Sequence, residues 1–113
     1  LAGASFEQAT MGGVSLKGQT LVGANLRRAN LYQADLTEAD LSGADLTEAM
    51  LVEAVLEMTN FFEAQLVRVN LSGAKLKFTN FRGTDMDGAV LRDVNLKGAQ
   101  FTLAQRMKML LKR

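Results

Sequence analysis

The sequence has no cysteine, so it can build no disulfide framework, thiol nucleophile or thiolate metal site. It has no histidine, which removes the commonest general base and the commonest metal ligand. Proline and tryptophan are absent and aromatic residues make up only 6%, which suits a monotonous backbone better than an irregular enzyme. No apolar run approaches the length of a membrane span, and no charged-then-apolar leader opens the chain. A cytoplasmic location is expected on that basis. Position 1 is Leu rather than Met, so the chain reads as a processed or trimmed piece that a leader could have preceded. Its 113 residues give room for one domain with a modest core.

What is present is a repeat. Every fifth position from Leu1 to Phe101 holds Leu, Phe or Met, and 15 of these 21 positions are Leu. Two residues before each sits a small side chain: from position 4 to 99 there are 13 Ala, three Val, three Thr (Thr59, Thr79, Thr84) and one misfit, Gln19. Between the small and the large residue lies a polar position rich in Asn, Asp, Ser and Thr, such as Asn25, Asn30, Asp35, Asp40 and Asp45. Nine of the ten glycines fall in the last position of the unit.

Small, polar, large is an in–out–in pattern, the alternation of a strand over three residues. The next inward residue then comes three positions on instead of two, so the two intervening residues must turn the chain. Glycine in the second of them permits positive φ. An α-helix is excluded, because positions five apart lie about 140° from one another on it. Equal corners repeated in one direction wind the chain into a β-solenoid.

Exposed charges indicate how many units close one coil. Stacked neighbours about 4.8 Å apart favour opposite signs. A separation of 20 pairs Glu7 with Arg27, Arg28 with Glu48, Glu48 with Arg68 and Glu57 with Lys77, against one like-charge pair, Lys77 with Lys97. A separation of 15 yields one opposite pair and four like pairs. Four units per coil is preferred.

The stretch "ANLRRANLYQADLTEADLSGADL", Ala24–Leu46, resembles the A(D/N)LXX consensus of the pentapeptide repeat proteins. The resemblance extends over positions 1–104 and is weakest at "ATMGGVSLKGQT" and "AVLEMTN". It implies an all-β fold in a bacterial type of protein: a right-handed, quadrilateral β-helix with 20 residues per coil, about five coils here.

Residues 1–102 are expected to form this β-helix and 103–113 a short capping α-helix. The register breaks at Arg106, and Leu103, Met107, Leu110 and Leu111 then fall on one helical face suited to covering the end of the rod. Basic residues Arg106, Lys108, Lys112 and Arg113 lie elsewhere on it and suit a helix C-terminus. No cap is visible before Leu1. Leu46 is expected to be fully buried between Leu26 and Leu66. Gln19, an amide in an Ala position, predicts a bulge or an outward-turned side chain near Lys17–Thr20.

Nothing in the pattern sets two carboxylates beside a pocket, and a Leu-filled interior leaves no cavity. An enzyme is not expected, and no cofactor, metal, small-molecule substrate or membrane partner is implied. Residues 68–113 hold ten basic and three acidic groups, but without interleaved aromatics a nucleic-acid ligand is disfavoured. Eight acidic residues between Asp35 and Glu63, with no Lys or Arg from 29 to 67, raise another reading. Some pentapeptide repeat proteins imitate DNA and bind type II topoisomerases such as gyrase. Folded at 20 per coil, however, these carboxylates spread over all four faces. The stronger anomaly is apolar residues in outward positions: Met58, Phe62 and Phe78 stand where Gly or polar residues stand elsewhere. They are the candidate patch for a protein partner or a second copy, on a rod otherwise read as a scaffold.

Overall fold

Two residues of each five-residue unit sit in a corner and three in a flat side, and the backbone hydrogen bonds explain why that is stable. In the computed structural model, which describes residues 1–111, the pattern is the same in unit after unit. The N–H of the large inward residue donates to the carbonyl 19 positions on, as Leu26 does to Asp45 at 2.7 Å. The second corner residue does likewise, Arg28 to Thr47 at 2.9 Å. The polar residue donates back 21 positions, Asp45 to Ala24 at 3.0 Å, and the small residue closes the turn, Ala29 to Leu26 at 3.1 Å. One donor remains, the N–H of the first corner residue.

That donor explains the Asn/Asp position. The Oδ1 of Asn25, Asn30, Asp35, Asp40 and Asp45 accepts the N–H two residues on, at 3.0–3.1 Å. A short side-chain carbonyl is the group that reaches its own backbone in this way. All five donors of such a unit are thereby used, as a backbone removed from water requires.

Each flat side contributes a single parallel bridge to the next coil, from Ser5–Asn25 through to Asn80–Gln100, always 20 residues apart. The chain is a right-handed, four-sided β-helix, with overall extents of 35 × 24 × 22 Å. The second corner residue has φ between 54° and 78° in all twenty units from Gly3 to Gly98. That left-handed conformation is what the third position of a type II turn demands. Nine of the twenty are Gly; the other eleven, Met58 and Phe78 among them, hold side chains that this conformation disfavours.

Inside, every large residue from Leu21 to Leu71 is fully buried, Leu46 included, in the column that also holds Leu26 and Leu66. The threonines in the small position are buried without a polar cost. Thr59 and Thr79 donate to the carbonyls of Leu36 and Leu56 at 2.7 and 2.6 Å, and Thr84 to that of Phe81 at 2.8 Å. Gln19 makes no bulge: its N–H closes the usual turn on Leu16 at 3.1 Å, and Gly18 keeps φ at 69°. Its side chain is exposed, the second of the two expected outcomes.

The C-terminal helix α1 spans Leu103–Leu111; Lys112 and Arg113 lie outside the described residues. The expected covering face is corrected. Leu103, Met107, Leu110 and Leu111 all point to solvent, and α1 instead turns Ala104, Gln105, Lys108 and Met109 toward the last coil. The reason is polar. Thr102 and Gln105 form a capping box, the Gln105 N–H donating to Thr102 Oγ1 at 3.1 Å and the Thr102 N–H to Gln105 Oε1 at 2.8 Å. The same Oε1 accepts the Gly83 N–H at 3.0 Å, while Nε2 donates to the Phe81 and Thr84 carbonyls at 2.7 and 3.2 Å. One amide stands in for the backbone of the absent next coil, and that requirement fixes how the helix sits.

Candidate protein-binding surface

With the interior uniform, individuality can lie only in outward positions. The three apolar residues singled out in sequence are all exposed: Met58 by 51%, Phe62 by 45% and Phe78 by 52%. Met58 and Phe78 occupy neighbouring levels of one corner, both at the left-handed position, with φ of 58° and 60°. The Met58 N–H is held by the Lys77 carbonyl at 3.0 Å. The Phe78 ring lies over Gly98, so closely that a Cβ there would meet ring carbons at 2.8–2.9 Å. Lys77 Nζ stands 5.4 Å from the ring centroid, within cation–π range.

Phe62 belongs to the next corner, its N–H bonded to Asn60 Oδ1 at 3.0 Å. Between the corners runs the polar row of that flat side. Asn80 Nδ2 donates to Asn60 Oδ1 at 3.2 Å, and Asn60 Nδ2 to Ser42 Oγ at 3.0 Å. The fold thus brings Met58 and Phe78 into one column and sets Phe62 across an amide ladder from them. Phe78 also walls a shallow groove of about 660 Å³ with Glu57, Lys75, Lys77, Asp93, Asn95 and Lys97, so its surroundings carry charges of both signs as well as apolar area.

A second apolar group stands elsewhere. Tyr32 and Val52 are stacked at one corner, and Met50, exposed in the polar position of the adjoining side, lies beside Val52. Met50 was legible from its register, as an apolar residue in a column of Asn30 and Asn70, yet sequence reasoning passed over it.

Charges form short ladders instead of fields. Arg28 and Arg68 both approach Glu48 at 3.5 Å, giving the expected alternating column. Arg27 pairs with Asp45 at 2.9 Å across the corner instead of with Glu7, and Glu57 makes no ion pair with Lys77. Burial alone would raise the Asp45 carboxyl, but hydrogen bonds from the Thr47 hydroxyl and N–H, with Arg27, hold it below the ordinary value. The Arg27 guanidinium is raised correspondingly by Asp45. Asp35 is lowered, first by the Thr37 hydroxyl at 2.6 Å and then by the Thr37 N–H at 3.0 Å. These carboxylates are committed to turns, and they lie on three different sides of the rod, with Asp40 on the third.

Among the described residues there is no cluster of acidic side chains arranged for a metal, and no helix long and apolar enough to cross a membrane.

A family model described as pentapeptide repeats matches the chain in eight copies, over residues 1–37, 29–66, 39–77 and 70–104. Among solved structures, a pentapeptide repeat protein of the Arabidopsis thaliana thylakoid lumen is 29% identical. That match covers 96% of this chain and 72% of its own, with a TM-score of 0.69. Rfr23, a pentapeptide repeat protein of the cyanobacterium Cyanothece 51142, is 28% identical over 90% of this chain and 86% of its own, with a TM-score of 0.59. No curated protein matches the chain in sequence.

Proposed function

The chain belongs to the pentapeptide repeat family, and from that premise we propose that it is a non-enzymatic, rigid scaffold that presents outward side chains to a protein partner. One observation carries the reading. The backbone and core are spent on a uniform rod, while large apolar side chains occupy outward positions that the same pattern fills elsewhere with Gly or polar residues. Met58 and Phe78 even occupy left-handed corners that glycine suits better. A solvated rod gains nothing from them; a docking surface gains apolar area at roughly 25 cal/mol per Å² before association costs.

Met58, Phe62 and Phe78 are the proposed contact residues, for an unidentified protein or a second copy. The double change Phe62→Ser with Phe78→Gly should leave the fold intact, since both side chains point outward. It should weaken capture of a partner in a pull-down, or self-association in sedimentation. Unchanged profiles with preserved folding would remove these residues from the binding face.

DNA mimicry toward a type II topoisomerase would need carboxylates in long rows. The Arg28–Glu48–Arg68 alternation and the dispersal of Asp35, Asp40 and Asp45 weigh against it. Supercoiling by purified gyrase is expected to proceed unaltered in its presence. A cytoplasmic site of action is part of the same proposal; the Arabidopsis structure is of a lumenal protein, so the fold alone selects no compartment.

A further inference from the structure

One side of the rod sorts its charges by sign along its length. Its flat stretches run through Asp35, Val55, Lys75 and Asn95, bridged coil to coil. Counting these stretches and the corner residue next to each end of them, residues 21–60 contribute Asp35, Glu53 and Glu57. Residues 61–100 contribute Lys75, Lys77 and Lys97, with Asp93 the one exception. Val55, half-exposed where the other coils place polar or charged residues, marks the boundary between the halves.

At another corner, opposite charges answer one another within the chain, as Arg28, Glu48 and Arg68 do. Here they do not. Among the described residues Glu57, Lys75, Lys77 and Lys97 enter no ion pair, although Glu57 stands directly one coil before Lys77. The Lys77 ammonium lies instead 5.4 Å from the centroid of the Phe78 ring.

We propose that this side docks on the same side of a second copy, with the two rods antiparallel; the inference rests on reading the chain as a binding rod and names its partner. The two-fold axis lies along the side, between the levels of Val55 and Lys75. An interface of this symmetry must be complementary to itself, residue i meeting j while j meets i. The axis sets Glu57 against the partner's Lys77, twice over, and Val55 against the aliphatic stem of the partner's Lys75. Asp35 falls between the partner's Lys75 and the partner's Lys97. Asp93 meets the partner's Gln33, and at the corner Met58 meets the partner's Phe78. With the rods parallel instead, Lys75 would face the partner's Lys75, which like-charge repulsion forbids.

The size predicts a weak, reversible dimer. The side's width lies within the short extents of 24 and 22 Å. With a rise of about 14 Å from the second coil to the fifth, it offers roughly 450 Å² per copy, about 900 Å² for the pair. Phe62, at the far corner beyond the Asn60–Asn80 ladder, lies outside this contact.

Sedimentation of the 113-residue chain up to about 1 mM, with circular dichroism to confirm folding, tests the proposal. A dimer half-formed below that concentration is expected. Glu57→Lys and Lys77→Glu should each raise its dissociation constant about tenfold or more, because each sets like charges face to face. Mixing the two variants should return the constant to near the wild-type value, since each reversed residue then meets an opposite charge on the other copy. An effect confined to one chain cannot be undone by mixing. Phe62→Ser should leave the dimer unchanged. A chain monomeric to about 1 mM would overturn the proposal, and would leave the wider reading standing where Phe62→Ser with Phe78→Gly still abolishes capture of another protein. A dimer that ignores the reversals, is not restored by mixing, or is lost in Phe62→Ser would also overturn it, by placing the contact on another side.

Discussion

Phe61 and Phe81, twenty residues apart in sequence, stack with ring centroids 5.7 Å apart and planes 8° from parallel. Phe101 continues the pile at 5.3 Å and 13°. The same inward column holds Leu21 and Leu41 in the earlier coils, so it turns from leucine to aromatic toward the C-terminal end. Phe81 is the middle ring and is fully buried. Phe81→Ala is expected to lose about 3–5 kcal/mol in urea unfolding, through lost transfer energy and the cavity left between two rings. Phe81→Leu, which restores the residue usual at that position, should lose clearly less. Equal losses would show that ring-on-ring geometry, and not volume, holds the column.

The fold was legible because its cause is periodic. A large residue every fifth position and a small one two before it leave one register, and the Arg28–Glu48–Arg68 alternation sets the coil at four units. What escaped was whatever the apolar pattern does not encode. The facing of α1 follows from backbone groups at the end of the rod, so Gln105 outweighs Leu103, Met107 and Leu110. The "TLAQ" at 102–105 was a readable capping box that was missed. Arg27 chose Asp45 over Glu7 because a diagonal across the corner reached a carboxylate already fixed by Thr47. The candidate patch was legible as residues out of place, but not the Asn60–Asn80 ladder that divides it.

Met58 offers a test of whether the outward apolar residues are held at a cost. Its φ of 58° penalises any side chain relative to Gly. Met58→Gly is therefore expected to raise stability by about 0.5–1 kcal/mol, the relief of the backbone less the extra entropy of glycine. Glu38→Gly, one coil earlier at the same corner with φ of 60°, is the control and should gain similarly. A loss at Met58 with a gain at Glu38 would mean that the methionine packs productively on the rod itself.

Acid should act through the turn carboxylates. Asp35 and Asp45 have lowered values in the folded chain. The stability they contribute is thus complete above the unfolded carboxylate value of about 3.9 and fades as pH falls through their lower folded values. Thr47→Val keeps the shape of a buried side chain but deletes the 2.6 Å hydroxyl bond to Asp45, so burial regains ground and the Asp45 carboxyl rises. Wild type and variant should differ most in urea unfolding at about pH 7. That part of the difference should shrink as pH falls through the lowered folded value, below which the group is protonated both folded and unfolded. A gap independent of pH would assign the loss to the hydroxyl alone.

Gln105 carries the end of the rod. Its amide answers the Gly83 N–H, the Phe81 and Thr84 carbonyls and the Thr102 N–H together. Gln105→Ala removes these side-chain bonds at once, including the half of the capping box that the amide supplies, and leaves only the Gln105 N–H to Thr102 Oγ1. Stranding partly buried backbone groups costs about 1–3 kcal/mol each at full burial, less where water can enter. A loss of about 1–3 kcal/mol in total is expected, with hydrogen exchange at the Gly83 amide accelerated far more than at the Gly43 amide, which keeps its 2.9 Å bond to the Phe62 carbonyl. Gln105→Glu separates the two halves of the role. A carboxylate still accepts from Gly83 and Thr102 but cannot donate to Phe81 and Thr84, and it sets a negative charge against their carbonyl oxygens. Gly83 should then stay protected while stability falls. Exchange at Gly83 that is unchanged even in Gln105→Ala would mean that the last coil is closed by something other than this side chain.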